Sequence, residues 1–229
     1  MRKVYGIGIG PGDKELITLK ACNIIRRCDY VFIPESKGES LAGAIAEDYI
    51  KDKKVIELSF PMKEDNKLRY KHAAQKINQL LKDNEVGVFL TLGDPMTYST
   101  YAYLMQELVE IGMAVETVPG ITSFNAAASV LGLPITLRDE SFYLADGSID
   151  EEVLKRVDSV CILKVNKDKE RIINRLEQHG FKFVYVKRCT QQSQRIIYDR
   201  KEMLEDSDYM SLIFAYRRHE RSDIGMVPI

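Results

Sequence analysis

The sequence lacks an excess of charge of either sign. Among its 229 residues, 33 are Lys or Arg and 34 are Asp or Glu, which leaves a formal net charge of -1. A protein that binds a nucleic acid backbone needs a basic surface to neutralise the phosphates, and this balance offers no such field in bulk. We therefore predict a small-molecule substrate and no nucleic acid partner.

Long apolar runs and paired cysteines are also missing. No apolar run approaches the roughly 20 residues of a membrane-spanning helix, and the first residues, MRKVYGIGIG, lack the apolar core of a signal peptide. Cys22, Cys28, Cys161 and Cys189 form no CxxC pair and no Cys/His cluster with zinc spacing. We predict a soluble, cytoplasmic protein with buried thiols, no metal site of its own and no membrane contact.

Short apolar runs alternate with helix-like stretches along the whole chain. Residues 86–92 are strongly apolar, which is typical of a strand buried on both faces, whereas residues 14–28 carry a helical stripe of Leu and Ile. The alternation predicts an α/β fold, and it is most regular before the VPG turn. We therefore predict two small α/β domains with a cleft between them, at 1–118 and 119–229, with a linker and helix at 119–135.

The first of three glycine-bearing turns is GIGIGPGD, at residues 6–13. It departs from the dinucleotide fingerprint GxGxxG, because Pro11 or Asp13 takes the third glycine's place. Pro11 also lacks the backbone N–H that a phosphate would use. A structural turn and a loop that lets a ligand or a second backbone approach closely both remain open.

The second and third turns also follow predicted strands. Gly93, Asp94 and Pro95 stand at the carboxyl end of the most apolar strand, which is where ligands bind in open α/β sheets. In VPGITSF, Thr122 and Ser123 stand at a strand-to-helix corner beside the first free N–H groups of a helix. Taken alone, each of these turns is equally compatible with a binding loop and with simple turn formation or helix capping.

Taken in order, the three turns resemble the tetrapyrrole methylase family, the class III methyltransferases. The matching segments are GIGPGDKELITLKA, LGDPMTYSTY and VPGITSFNAAASVLGLP, with weaker matches at CILKV and SLIFAYRR. The resemblance therefore covers essentially the whole chain. One departure is Leu92, which stands where the common GGDP motif has its first glycine.

Within the family, GDPMTYSTY and PGITSFNAAA resemble the branch that methylates carbon 20 of precorrin-2 or cobalt-factor II in cobalamin biosynthesis. The resemblance implies an enzyme, a C-methyltransferase with S-adenosylmethionine as its methyl donor, and a homodimer. Any cobalt would arrive chelated in the substrate. The donor is expected to lie in the cleft between the domains, with contacts carried over to Pro11, Leu92, Gly93, Asp94, Thr97, Thr122, Ser123, Lys164, Cys189 and Ala215.

Three side chains are candidates for a direct part in the reaction. Asp94 is expected to hold pyrrole N–H groups of the substrate or to balance the positive sulfonium. Lys164 ends an apolar strand, where an ammonium needs a carboxylate partner, and the acetate and propionate groups of the substrate offer one; a Lys that reaches solvent is the alternative. Tyr216 is expected either to present its hydroxyl to the macrocycle or to be an ordinary rim tyrosine.

Other functions stay open at this point. The same fold methylates other tetrapyrrole positions, the uroporphyrinogen precursor, diphthine precursors and ribosomal RNA, although the neutral charge argues against RNA. A nicotinamide-dependent oxidoreductase on a doubly wound sheet is a second class, which the broken glycine fingerprint disfavours. A binding protein that has lost turnover is a third.

Overall fold

The structure, a computed structural model, describes residues 2–35, 40–60, 67–166 and 168–217. The chain divides into two compact units between Thr122 and Ser123. Each unit carries one five-stranded sheet with helices between its strands. The predicted α/β fold class is confirmed, whereas the predicted domain limits and the predicted cleft between the domains stay predictions.

The first unit is a parallel sheet in the strand order β3-β2-β4-β1-β5. Its strands are β1 (Lys3–Gly8), β2 (Tyr30–Pro34), β3 (Lys54–Leu58), β4 (Val86–Thr91) and β5 (Ala114–Val118). Its helices are α1 (Leu19–Arg27), α2 (Leu41–Ile45), α3 (Glu47–Ile50), α4 (Lys67–Leu80) and α5 (Thr100–Glu110).

The central strands β1 and β4 are covered on both faces, as the apolar run predicts. Val88 and Leu90 belong to one core cluster and Phe89 to the other, because successive side chains of a strand point to opposite faces. Gly6 leaves room for the Tyr101 ring, since a Cβ at Gly6 would lie 2.1 Å from its Cζ. The carboxyl ends of β1 and β4 are therefore fixed by packing on both sides.

Local capping moves some predicted helix limits. The helix predicted at 14–28 begins only at Leu19, because the Thr18 hydroxyl caps it by accepting the Ala21 N–H at 3.2 Å. Lys14–Leu16 form a separate 3-10 turn. The charged segment before α4 enters that helix at Lys67, and residues 61–66 lie outside the described residues.

The second unit is a mixed sheet in the strand order β6-β7-β10-β8-β9. Its strands are β6 (Phe142–Asp146), β7 (Ser159–Leu163), β8 (Lys182–Lys187), β9 (Arg195–Ile197) and β10 (Ser211–Tyr216). Its helices are α6 (Ser123–Leu131), α7 (Glu151–Leu154), α8 (Lys169–Gln178) and α9 (Arg200–Glu205). The short strand β9 pairs antiparallel with β8 at one end of this sheet.

The strand β10 lies at the centre of this sheet and runs antiparallel to both β7 and β8. The carboxyl ends of β7 and β8 therefore lie at the same edge of the sheet, together with the start of β10. None of the helices within the described ranges is long and apolar enough to cross a membrane.

Candidate active site

The three predicted loops meet at one edge of the first sheet. The strand β1 lies between β4 and β5, and all three run in the same direction. Gly8 pairs with Thr91 and Ile7 pairs with Val118, so the three strands end at the same level. The loops that follow them leave the sheet side by side, at the edge where open α/β sheets bind ligands.

Three glycines, one from each loop region, pack backbone against backbone. A Cβ on Gly120 would lie 2.1 Å from the Gly93 carbonyl oxygen and 2.7 Å from the Cα of Gly8. A Cβ on Gly8 would lie 2.5 Å from the Gly120 nitrogen. Side chains at these positions would push the loops apart, and so glycine is required at both Gly8 and Gly120.

A short backbone bridge joins the first two loops. The Gly93 N–H donates to the Gly10 carbonyl at 2.8 Å, and the Gly10 N–H donates to the Gly93 carbonyl at 3.4 Å. Both residues have positive φ, 79° at Gly10 and 71° at Gly93, which an L side chain adopts at a cost. The loop glycines thus set the backbone path and leave main-chain groups within reach of a ligand.

Both carboxylate oxygens of Asp94 are engaged by loop donors. Oδ2 accepts the Gly120 N–H at 3.0 Å, and Oδ1 accepts the Met96 N–H at 2.9 Å and the Thr97 hydroxyl at 3.4 Å. The carboxylate therefore ties the second loop to the third and orders its own loop. These contacts match the turn-forming role better than they match a free carboxylate aimed at a substrate.

The remaining predicted contacts of the donor fall on both units. Pro11 is buried in the first loop, Leu92 is half-buried beside Gly93, and Thr122 ends the third loop. Ser123 is the first residue of α6, in the second unit. The structure brings Pro11, Leu92, Gly93 and Thr97 to the same sheet edge as the three glycines.

Lys164 stands immediately after β7 and is held within the protein. Its ammonium Nζ lies 2.9 Å from Oδ2 of Asp146, at the end of the neighbouring strand β6. Burial lowers the pKa of Lys164, but the hydrogen bond to Asp146 and the nearby Tyr209 outweigh it, so the pKa stands above its usual value. Asp146 thus supplies the carboxylate partner that this ammonium needs, and a further contact of Lys164 with a substrate carboxylate stays a prediction.

The carboxyl end of β8 reaches the same edge of the second sheet as Lys164. Arg188 and Thr190 have positive φ values of 48° and 63°, and Lys164 has 55°. Non-glycine residues in this conformation are strained, and such strain clusters at functional sites. Cys189, between the two, is buried, and burial raises the pKa of its thiol to about 11. Its thiol is therefore neutral near pH 7.

Ala215 and Tyr216 lie at the opposite edge of the second sheet. Ala215 pairs with Val160, whereas Lys164 follows Leu163, the partner of Leu212. Four residues along a strand separate these levels by about 13 Å. The Ala215 side chain faces the core, and Tyr216 is only 7% exposed. The structure does not bring these two residues together with Lys164 and Cys189.

Sequence reasoning missed a buried ionic network behind Arg188. Asp206 accepts from the Lys187 ammonium at 2.6 Å and from the Tyr185 hydroxyl at 2.9 Å, and Asp208 accepts from Nε of Arg188 at 2.5 Å. These groups fix the end of β8. The only sequence feature that could have indicated this network is the DSD triplet at residues 206–208, before an apolar strand. The triplet does not show that its partners lie about 20 residues earlier, at the end of β8.

The chain belongs to the tetrapyrrole (corrin/porphyrin) methylases, whose family model matches residues 3–203. The predicted family membership is confirmed. The family match places the chain in a class of methylases and gives no support to a nicotinamide-dependent oxidoreductase.

Particular relatives narrow the class. The chain is 33% identical to a Methanocaldococcus jannaschii protein named "Probable cobalt-precorrin-2 C(20)-methyltransferase", over 95% of this chain and 97% of the relative. It is 27% identical to the precorrin-2 C(20)-methyltransferase of a Sinorhizobium species, over 93% of this chain and 94% of the relative. Its fold matches the uroporphyrin-III C-methyltransferase of Thermus thermophilus in complex with S-adenosylhomocysteine, with a TM-score of 0.72 and 22% identity over 93% of this chain and 97% of that one.

Proposed function

We propose that the protein is an S-adenosylmethionine-dependent C-methyltransferase that methylates carbon 20 of precorrin-2 in its cobalt-bearing form. The observation that carries the proposal is the convergence of three glycine loops at the carboxyl edge of β4, β1 and β5. The similarity to carbon-20 methyltransferases along nearly the full chain supports the reaction. The higher identity to the cobalt-precorrin-2 relative favours the cobalt-bearing substrate.

The first unit fits the methyl donor through its main chain. At Gly93 a Cβ would meet nothing nearer than 4.0 Å, so this buried backbone is less tightly packed than that of Gly8 or Gly120. Leu92 replaces the first glycine of the GGDP motif. This replacement does not disturb the backbone of the loop, because the positive φ belongs to Gly93. We assign the donor contacts to Pro11, Leu92, Gly93, Asp94, Thr97 and Thr122 in the first unit, and to Ser123, Lys164 and Cys189 in the second.

The donor supplies an electrophilic methyl group whose leaving group is already a sulfonium. The residues of the chain then have one main task, which is to hold that methyl group in line with an electron-rich carbon. Such alignment contributes up to roughly 7–11 kcal/mol when the geometry is ideal. The bonds of Asp94 to Gly120 and Met96 hold the loops that set this geometry, so Asp94 acts by positioning.

The substrate carries acetate and propionate groups on its rim. Lys164 and Arg188 place two cations at one edge of the second sheet, each already paired with one aspartate. A guanidinium has five N–H donors, and the bond of Arg188 to Asp208 uses Nε. The other donors of Arg188, which is 43% exposed, are the groups that we assign to the carboxylates of the macrocycle.

We further propose that the protein acts in the cytoplasm as a homodimer. Four free, buried cysteines fit a reducing compartment. Leu68, Tyr103 and Val109, all more than half exposed on α4 and α5, fit a face that a second copy covers. Sedimentation of the purified chain tests the assembly.

Incubation of the purified protein with S-adenosylmethionine and cobalt-precorrin-2 tests the function. We expect a mass gain of one methyl group, with carbon 20 labelled when the donor carries a ¹³C methyl group. A methyl group at another carbon of the same macrocycle would identify a different branch of the family. Binding of both ligands without any mass gain would identify a non-catalytic relative.

A further inference from the structure

One hydroxyl at the carboxyl edge of the first sheet is left without a partner. Oγ1 of Thr91, the last residue of β4, is fully buried and has no hydrogen-bond partner among the described residues. The residue itself is 8% exposed. Almost every buried polar group in a native protein is paired, so a buried orphan calls for an explanation such as a missing ligand.

The place of Thr91 in β4 indicates on which face of the sheet its side chain lies. Thr91 lies on the same face of the sheet as Phe89, because side chains two residues apart share a face. On that face the Phe89 and Tyr101 rings lie 6.0 Å apart, and Tyr101 is in the first turn of α5. One register step further, Thr91 therefore faces the start of α5.

The start of α5 has donor groups to offer. Ser99, the N-cap residue, makes no side-chain capping bond to any described residue of the helix, and its hydroxyl donates instead to the Pro95 carbonyl at 2.5 Å. The first N–H groups of a helix attract anions. Tyr98, just before the cap, has a φ of 46°, a strained conformation of the kind that clusters at ligand sites.

We propose that the Thr91 hydroxyl and the start of α5 form a subsite for a carboxylate. The inference rests on the proposed function and adds a specificity residue to it. The donor's amino-acid end is the occupant that we favour, because it carries a carboxylate and the proposed donor contacts Leu92 and Gly93 directly follow Thr91. A carboxylate on the macrocycle has the same chemistry and is distinguished by the experiment.

The decisive variant is Thr91→Val, which has the shape of threonine without the hydroxyl. We expect its melting temperature to equal or exceed that of the wild type, because the variant removes an unpaired buried group. We expect its affinity for S-adenosylhomocysteine to fall about tenfold, as for a lost hydrogen bond to a charged group. Binding of methylthioadenosine, which lacks the amino-acid end, should not change.

Two further variants serve as controls for the loss of the Thr91 hydroxyl. Thr91→Ser restores the hydroxyl and should restore the affinity. Thr117→Val makes the same change on β5, where the hydroxyl lies 4.0 Å from the Met96 sulfur, and should leave both affinities unchanged. Should Thr91→Val fail to fold, Thr91→Ala removes the same hydroxyl, and an affinity for S-adenosylhomocysteine equal to that of Thr91→Ser would overturn the subsite.

The outcomes separate the possible sources of the carboxylate. Weaker binding of S-adenosylhomocysteine alone supports the donor's carboxylate, and a tenfold higher KM for the tetrapyrrole with unchanged donor affinity supports a macrocycle carboxylate. Equal losses for both nucleosides, or no change in any of these quantities, overturn the subsite. Failure of the wild type to bind S-adenosylhomocysteine would instead reject the proposed function.

Discussion

The Asp94 carboxylate accepts the Gly120 N–H at 3.0 Å and so joins the loop after β4 to the loop after β5. The same carboxylate orders its own loop through the Met96 N–H. These bonds, together with the bridge between Gly10 and Gly93, make the three loops one connected backbone surface. The site therefore depends on loop positions more than on any single reactive side chain.

Replacing Asp94 tests this positioning role. We expect Asp94→Ala to stay folded and to lose roughly 10- to 100-fold in kcat/KM, because it removes three hydrogen bonds to a charged acceptor. Asp94→Asn keeps one carbonyl oxygen and should fall between the alanine variant and the wild type. Steady-state kinetics with circular dichroism checks both points, and unchanged kinetics in Asp94→Ala would remove Asp94 from the mechanism.

A methyl group at Gly120 tests the packing of the loops. Gly120→Ala places a Cβ against the Gly93 carbonyl, so the loops must separate, and we expect turnover to fall about 100-fold through misplacement of the donor. Gly43→Ala in α2 is the matched control, because its Cβ would have only ordinary contacts beyond 3.4 Å. Calorimetric titration with S-adenosylhomocysteine should show weak binding for the first variant and normal binding for the second.

Substitutions in the Lys164–Asp146 pair test whether this edge of the second sheet binds the substrate. We expect Lys164→Met to raise the KM for the tetrapyrrole several-fold more than it changes kcat, if the ammonium binds a carboxylate of the substrate rim as proposed and takes no part in the methyl transfer. Asp146→Asn leaves the cation in place without its partner. If Lys164 has only a structural role, Lys164→Met and the double variant Lys164→Met/Asp146→Asn will both have the wild-type KM. They will then differ from the wild type only in thermal stability.

Stability at acid pH tests the network at the end of β8. Burial raises the pKa of Asp206, but bonds from Lys187, the Asp208 N–H and Tyr185 outweigh it and hold the pKa below its usual value. A lowered folded-state pKa stabilises the protein above the unfolded value of about 3.9, and this stability is lost as the pH falls through the folded value.

The matching variant is Asp206→Asn. Its melting temperature should be lower than that of the wild type at pH 7 and should fall less as the pH is lowered below about 4. Asp83→Asn, on an exposed loop, should keep the wild-type profile. Parallel profiles for the wild type and Asp206→Asn would show that the network contributes no pH-dependent stability.

The parts of the fold that follow from local chemistry were predictable from the sequence. The apolar run through Phe89 predicted a doubly buried strand, and the glycines at Gly10, Gly93 and Gly120 predicted loops at strand ends. Parallel topology then brings such loops to one edge, as the structure has them. A Thr18 cap moved the start of α1, since capping depends on a single side-chain rotamer.

Long-range pairing was not predictable in the same way. Lys164 was expected to await a substrate carboxylate, yet Asp146 meets it across two strands that are 18 residues apart in sequence. Ala215 was placed with Lys164 by resemblance, and Tyr216 was expected to face the macrocycle or to be an ordinary rim tyrosine; the antiparallel register of β10 carries both to the other edge. Spacing along the chain does not fix which strand reverses direction, and that reversal decides which residues share an edge.

A structure of the protein with S-adenosylhomocysteine tests most directly whether the methyl donor binds at the edge formed by the three glycine loops. We expect the nucleoside to lie at the carboxyl ends of β1, β4 and β5, with main-chain contacts around Gly93 and Thr122. A nucleoside bound at any other edge of either sheet would contradict it.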